Sequence, residues 1–239
     1  MIKAAALPRM CGAAVVVGIA LAGCVQTTGG VPVKGTAGGT SARAAKPLAE
    51  PALDQILLSV NDVSAIIGGT GLQVSNSSED LGDSTDIVDN PDCVGAMFAA
   101  ERHAYDGTDW KALRDQVIRE PGDQKSNWAE QSVVLFGSAA KAGKVFQRAR
   151  ERWKTCASTS LTTSDDSDGG YRWDFGKVGE PSDTVTTIDM VQQDSDGWTC
   201  QHAMGLVSNV VVEGIACGHG VTDQGQRIVT AIVQNAQAQ

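Results

Sequence analysis

The clearest periodic pattern in the chain lies between residues 138 and 156. Apolar side chains recur there at spacings of three and four, which is the pattern of a helix with one buried face. Ser138 has the side chain of a good N-cap. We therefore predict one long helix whose buried face consists of Ala142, Val145, Phe146, Ala149, Trp153 and Cys156.

Start and stop signals predict two more helical regions, one at each end of the folded part of the chain. Residues 53–68 are expected to be helical in two pieces, with Asn61 as the cap of the second piece and Gly68 as its stop. Near the C-terminus, Thr222 is the predicted cap of a last helix. The residues of that helix that should face inward are Ile228, Ile232 and Val233.

In the first half of the domain, the sequence predicts the secondary structure of one segment clearly and that of another only ambiguously. Asn90-Pro91-Asp92 offers a cap, a proline at the first helical position and an acidic first turn, so a helix should run over about 93–100. Residues 110–120 fit a helical period, but Val117-Ile118 would also suit a strand. Both interpretations of this second segment therefore stay open.

Alternating residues and short apolar runs predict strands elsewhere in the domain. They lie at residues 72–74, 132–136, 171–175 and 184–191. Two polar stretches, 75–89 and 157–170, are predicted to be loops.

Residues 197–218 form a predicted β-hairpin centred on Ser208-Asn209, because asparagine tolerates the left-handed backbone of a tight turn. In that register, Cys200 faces Cys217 at a spacing near disulfide range. An even number of cysteines in an exported domain indicates disulfides. We therefore predict the pairs Cys200–Cys217 and Cys93–Cys156.

The order of these elements predicts an α+β fold. Two helical segments come first, strands and the long helix follow, and further strands precede a terminal helix, which suits a mostly antiparallel, twisted sheet flanked by helices. Only 5% of the 239 residues are aromatic, so the five tryptophans are expected to anchor the core.

The N-terminus has the organisation of a bacterial lipoprotein signal peptide. Lys3 and Arg9 precede an apolar run that is too short to span a bilayer comfortably, and Leu21-Ala22-Gly23-Cys24 then matches a lipobox. We predict cleavage after residue 23 and lipidation of Cys24. The alternatives are an ordinary secretory signal and a short anchor helix.

Residues 24–50 contain almost no large side chain, so they should form the lipidated cysteine and a flexible tether, followed by a domain over 51–239. The whole chain has a formal net charge of −9, which becomes about −13 for 51–239 once the cationic signal peptide and tether are set aside. Such an acidic domain is a poor partner for nucleic acid.

A zinc site is the rival interpretation of the last two cysteines, because Cys200–His202 and Cys217–His219 repeat a Cys-x-His pattern. The hairpin register argues against it, since the two imidazoles would lie roughly 13 Å apart along the strands. No nucleotide-binding, metalloprotease or nucleophile-elbow motif is present in the sequence. We therefore predict no metal, no cofactor and no catalytic residue.

The sequence from about residue 53 to 235 resembles the PknH-like family, the extracellular sensor domains named after a mycobacterial serine/threonine kinase. The resemblance includes the spacing of the four domain cysteines. Its motifs are Cys93-Val94-Gly95-Ala96, Tyr105, Trp110, Phe136-Gly137-Ser138-Ala139, Trp153, Gly197 to Ala203, Asn209 to Glu213 and Ala216-Cys217-Gly218.

The resemblance implies an α+β domain with a large cleft for an unidentified ligand, and the same disulfide pairing as the hairpin argument. It also implies that many relatives are free-standing mycobacterial lipoproteins. His202 departs from the family, which usually has arginine there. We take His202, Trp198 and Asn209, from the segments that carry the resemblance, as candidate ligand-binding residues.

The chain is thus interpreted as a lipid-anchored, non-catalytic sensor or ligand-binding domain on the outer face of the cell membrane. The alternatives are an uncharacterised cell-wall hydrolase and a structural protein-partner module of the envelope. In addition, Lys144, Arg148 and Arg152 repeat every four residues on the long helix. They are expected to contact anionic lipid headgroups or an acidic partner, unless they form an ordinary solvated face.

Overall fold

An antiparallel sheet of eight strands organises the computed structural model, which describes residues 46–122, 126–164 and 170–239. The predicted signal peptide, the lipidation site Cys24 and most of the predicted tether lie outside the described residues. The strands are β1 (Gln73–Ser78), β2 (Trp110–Arg119), β3 (Asn127–Phe136), β4 (Ser160–Thr163), β5 (Tyr171–Ser182), β6 (Val185–Gln192), β7 (Trp198–Val207) and β8 (Val210–His219).

The order of the strands across the sheet is β1-β2-β3-β8-β7-β6-β5-β4. Strands β1 to β3 form one meander and β4 to β7 form another. Strand β8 turns back from β7 and pairs with β3, so it joins the two meanders in the middle of the sheet. The central strands are therefore those with the most buried side chains.

The helices of the described residues are α1 (Leu53–Ile56), α2 (Val60–Ile67), α3 (Val94–Met97), α4 (Arg102–Tyr105), α5 (Ala139–Cys156) and α6 (Gln224–Gln237). One apolar core lies between α3, α4, α5 and one face of the sheet, and it includes Trp153, Phe146 and Ile215. A second core lies on the other face, where α1, α2 and α6 cover the sheet. Both faces of the central strands are thus buried.

The predicted fold class, an antiparallel sheet flanked by helices and held by two disulfides, is confirmed. The six residues predicted for the buried face of α5 are all buried, and Ser138 caps this helix by accepting a hydrogen bond from the backbone N–H of Lys141. The hairpin register is also as predicted, with Cys200 opposite Cys217 and Ser208 in a left-handed turn conformation at φ 49°.

Several boundaries differ from the predictions. The second helical piece is capped by Ser59 in a capping box with Asp62, and not by Asn61, while α6 is preceded by Asp223 and not by Thr222. The helix predicted over 93–100 ends at Met97. Residues 110–119 are a strand, because they pair with β3 along their whole length.

Two of the predicted polar loops contain edge strands. Strand β1 continues to Ser78, well into the stretch 75–89, and β4 occupies Ser160–Thr163 within the stretch 157–170. Both strands lie at the ends of the sheet and carry mainly polar residues. Their pairing with β2 and β5 stabilises them without an apolar pattern.

The folded part begins earlier than predicted. Leu48 is buried in the second core, and its backbone N–H and carbonyl both hydrogen-bond to the side chain of Asn209. The same Asn209 amide donates to the carbonyl oxygen of Phe136. Residues 48–50 therefore belong to the domain and not to the predicted tether.

Both predicted disulfides are present. Cys93–Cys156 ties the segment before α3 to the end of α5, with a Cα separation of 5.7 Å. Cys200–Cys217 links two directly paired residues of β7 and β8, with a Cα separation of 4.0 Å. The two bridges lie on the same side of the sheet, within the first core.

Candidate functional site

An apolar cavity of about 220 Å³ lies at the Cys200–Cys217 disulfide. The register of the sheet places Arg119, Trp128, Cys217 and Cys200 side by side on β2, β3, β8 and β7. Aromatic side chains complete the walls, and we call this space the tryptophan cavity. Its other lining residues are Met97, Phe98, Asn127, Trp173, Trp198 and Ile215.

A second cavity, of about 300 Å³, lies beside the first and has a different chemical character. Strands β2 and β3 contribute Asp115 and Glu130 to it, and Glu101 approaches from the segment that links α3 to α4. Smaller polar residues on and after β1, such as Asn76 and Ser78, line the rest. We call this space the carboxylate cavity.

The segment 97–101 forms the roof of both cavities. Phe98 borders the tryptophan cavity, the carboxylate cavity and a third, more exposed cavity of about 440 Å³ that also includes Ile87 and Tyr171. Trp128 borders the first two and Trp173 the first and third. The three spaces are thus neighbours with shared walls, and we call them together the cleft.

Glu213 holds this roof in place from the middle of the sheet. Its Oε1 accepts hydrogen bonds from the backbone N–H of Ala100 (3.1 Å) and the hydroxyl of Tyr105 (2.6 Å). Its Oε2 lies 3.0 Å from Nε2 of His202. Ala100 takes a left-handed conformation, with φ 52°, which is uncommon for a residue other than glycine. The hydrogen bond from the Ala100 N–H to Glu213 therefore stabilises a backbone conformation that is energetically unfavourable for alanine.

Asp115 and Glu130 lie diagonally across β2 and β3 in the wall of the carboxylate cavity, and hydrogen bonding between the two carboxyl groups, which needs a shared proton, is one of the causes that shift their pKa values. Burial raises the pKa of Asp115 to about 7; the bond to Glu130 opposes the rise, and the charge of Glu213 adds to it. The pKa of Glu130 lies well above its usual range, mainly because the side chain is buried and, to a smaller extent, because Asp115 carries a like charge nearby. The pair therefore keeps protons to a higher pH than two exposed carboxyl groups would.

Only one of the three predicted ligand-binding residues lies at the cleft. Trp198 lines the tryptophan cavity and makes an edge-to-face contact with His219. His202 is fully buried, where it contacts Glu213, the carbonyl oxygen of Ala96 and the ring of Trp153. Asn209 is also buried and clamps Leu48. The polar atoms of both side chains thus face protein groups in the interior and not the cleft, and a role of these two residues in ligand binding stays a prediction.

The basic residues of α5 are divided between two roles. Arg148 and Arg152 donate hydrogen bonds to the backbone carbonyls of Ala104 and His103, so they hold α4 against α5. Lys144 and Arg148 also line a groove of about 310 Å³ beside Phe136. The suggested contact with lipid headgroups or an acidic partner stays a prediction.

The contacts of the histidines and cysteines bear on the hydrolase and zinc alternatives. Within the described ranges, no serine hydroxyl hydrogen-bonds to His103, His202 or His219, and Cys200 and Cys217 are joined in a disulfide. In the same part of the chain, no three His, Cys, Asp or Glu side chains are grouped as metal ligands.

Sequence reasoning missed the carboxylates and most of the tryptophan wall. Asp115, Glu130 and Glu213 lie inside strands, where alternating polar residues are ordinarily assigned to the solvent side. The one available signal was the spacing of Asp115, Val117 and Arg119, which share a face with Leu113.

Comparison with known proteins identifies the family. Residues 48–235 match the PknH-like extracellular domain family, and the chain belongs to that family. The serine/threonine-protein kinase PknH of Mycobacterium bovis is 36% identical over 188 residues, and so is that of Mycobacterium tuberculosis. The match covers 79% of this chain but only 31% and 30% of the two kinases, so the chain spans about a third of their length.

A solved structure has the same fold. The crystal structure of the extracellular domain of PknH from Mycobacterium tuberculosis superposes with a TM-score of 0.77 and 33% sequence identity. The match covers 82% of this chain and all of that one, so the fold forms a folded unit in the relative without further domains. The family is consistent with an extracytoplasmic sensor domain. Among the residues described here, no helix has the length and apolar character needed to cross a bilayer.

Proposed function

We propose that this chain is a lipid-anchored extracytoplasmic sensor domain that binds a ligand in the cleft and performs no catalysis. The observation that carries the proposal is the tryptophan cavity, which brings three indole rings and a disulfide to one space beside a polar wall. Ligand sites are typically of this kind, with apolar walls and a few placed polar groups.

A buried donor supports this assignment. Trp173 lines the tryptophan cavity, and its indole Nε1 is buried with no hydrogen-bond partner among the described residues. A buried N–H group without an acceptor is costly. A bound ligand, or ordered water in its place, would supply the acceptor.

A small uncharged probe tests the cavity. We expect residues 46–239 to bind 4-phenylbutanol saturably in a protein-observed NMR titration, and Trp198→Ala to weaken binding at least threefold because one aromatic wall is lost. Val191→Ala is the matched control, since Val191 is an exposed apolar residue that does not line the cleft. Absence of saturation, or equal weakening by both variants, would contradict the assignment of the site.

The lipid anchor is the second part of the proposal, and it is supported by the lipobox at Leu21-Ala22-Gly23-Cys24. We expect mass spectrometry of the chain made in a bacterial host to find a mature N-terminus at Cys24 with diacylglycerol on its thiol. Cys24→Ala should leave the chain uncut and unacylated, whereas Cys11→Ala should be processed normally. An unacylated mature N-terminus at another residue would refute the anchor.

A further inference from the structure

The two cavities of the cleft share walls that differ in chemistry. Phe98 and Trp128 border both of them. On β3, Trp128 and Glu130 are two residues apart and project to the same face, a separation of about 7 Å along the strand. A single small molecule can therefore occupy the tryptophan cavity and reach the carboxylates.

The carboxylate cavity presents acceptors that the protein does not neutralise. Asp115 is only 6% exposed, and its buried Oδ1 has no hydrogen-bond donor among the described residues. Across the cavity, Glu101 accepts two hydrogen bonds from Ser84. In the described ranges, no lysine or arginine nitrogen lies within 4 Å of the carboxylates of Asp115, Glu130 or Glu101.

A buried acceptor of this kind fits an N–H donor that carries positive charge. Hydrogen bonds between ionised groups are shorter and stronger than neutral ones. The carboxylates line the wall of a cavity without converging as a metal-ligand group, at least in the part of the chain that the structure describes. Such an arrangement suits an organic cation whose charge enters from the apolar side.

Resting on the proposed function, we infer that the ligand is a cationic amphiphile. Its apolar body lies in the tryptophan cavity, and its amine end donates hydrogen bonds to Asp115 and Glu130. Trp128, which borders both spaces, is placed to contact the ammonium group through its ring face as well.

The protonation of the pair makes the recognition depend on pH. Because burial raises the pKa of Asp115 to about 7, the Asp115 side chain is mostly uncharged near pH 6 and mostly negatively charged near pH 8. The groups that face it from the neighbouring elements, Glu213 on β8 and Glu101 on the roof, are also carboxyl groups. An alkyl amine keeps its proton throughout this range, so its affinity should increase with pH.

The experiment compares three probes with the same apolar body: 4-phenylbutylamine, 4-phenylbutanol and 4-phenylbutyrate. Binding to residues 46–239 is measured by NMR titration at pH 6 and pH 8. At pH 8 we expect the amine to bind about tenfold more tightly than the alcohol, as a charge-assisted hydrogen bond implies, and the carboxylate to bind most weakly. The preference for the amine should shrink at pH 6.

Neutral variants of the same shape provide the controls. The double variant Asp115→Asn, Glu130→Gln should remove the preference for the amine and its pH dependence while binding of the alcohol stays unchanged. Trp198→Ala should weaken all three probes to a similar extent. The mutated proteins remain informative because the alcohol reports whether the apolar cavity is intact.

Two results with the organic probes would overturn the inference and leave the proposed function standing. The first is equal affinity for all three probes in the wild type. The second is an amine preference that persists in the double variant, which would place the cation elsewhere. A titration with Ca²⁺ alone that saturates, and is abolished by Asp115→Asn, would replace the organic cation by a metal ion. If no probe binds, the inference and the proposed function both fail.

Discussion

Replacing Glu213 by alanine is expected to lower the free energy of unfolding by about 3–5 kcal/mol, the usual cost of removing one partner of a buried ionic group. Three groups would lose their acceptor or neighbour at once, because Glu213 contacts the N–H of Ala100, the hydroxyl of Tyr105 and the ring of His202 on the inside of the sheet. The left-handed turn at Ala100 would also lose the bond that fixes it.

The protonation of His202 follows from its surroundings. Its Nδ1 faces the carbonyl oxygen of Ala96, which only accepts, so Nδ1 must carry a hydrogen. Its Nε2 faces the Glu213 carboxyl group, and the proton between them makes the two side chains a single, overall neutral unit.

Glutamine at position 213 is the matched control. Its amide oxygen can accept from Ala100 and Tyr105, and its NH₂ group can donate to Nε2 of a neutral imidazole that keeps its hydrogen on Nδ1. We therefore expect Glu213→Gln to cost no more than about 1–1.5 kcal/mol, the size of an ordinary net hydrogen bond.

Urea denaturation with the disulfides intact measures both variants. An alanine variant within about 1 kcal/mol of the wild type would show that water replaces the lost acceptor at little cost. Equal losses in Glu213→Ala and Glu213→Gln would show instead that charge, and not hydrogen bonding, is what stabilises the unit. The alanine variant should also bind 4-phenylbutanol more weakly, because the roof over the tryptophan cavity depends on Ala100 and Tyr105.

The parts of the fold that sequence reasoning predicted are those determined by local pattern. Helix α5 carries its own cap and a complete apolar face, and the β7–β8 hairpin is fixed by its turn and by the two cysteines that it aligns. Strands β1 and β4 were missed for the opposite reason. Each lies at an edge of the sheet, with polar residues such as Asn76 and Thr162, so only pairing with a neighbour makes it a strand.

The cleft was predictable only through the resemblance, and its residues only in part. In a strand that is covered on both faces, polar and apolar residues do not alternate between solvent and core, so the sequence pattern does not show which residues line a cavity. Asp115 and Glu130 could therefore not be assigned to a cavity wall from the sequence. His202 and Asn209 show the converse problem. Both are distinctive polar residues in segments that carry the resemblance, yet their side chains hydrogen-bond to other buried groups inside the domain. Buried polar groups need such partners.

The second large effect concerns pH, and it arises from the pair Asp115 and Glu130. Between about pH 5 and pH 8, the free energy of unfolding of the wild type should fall by on the order of 3 kcal/mol through Asp115 alone, and Glu130 should add to this fall. The structural reason is that burial raises the pKa of Asp115 to about 7 and raises the pKa of Glu130 well above its usual range. Both carboxyl groups would ionise near their ordinary values in the unfolded chain.

The sign follows from the number of protons bound in each state. Above about pH 4 the unfolded chain has released these protons, whereas the folded protein still holds them. Stability is therefore greatest at low pH and is lost as the pH increases through the folded-state pKa of Asp115 near 7. Carboxylates whose pKa is lowered, such as Asp109 and Glu180, act in the opposite sense, but they do so near pH 2–4 and outside this range.

The double variant Asp115→Asn, Glu130→Gln isolates the effect, because the two proteins differ at no other titratable group. Its stability at pH 5 should be close to that of the wild type, and at pH 8 it should exceed it, so that the difference between the two urea-denaturation curves grows across the range. Asp86→Asn, which neutralises an exposed carboxylate, should run parallel to the wild type. A difference that is constant with pH, or that grows toward low pH, would mean that the pair is ionised in the folded protein, and the cleft would then carry two negative charges at neutral pH.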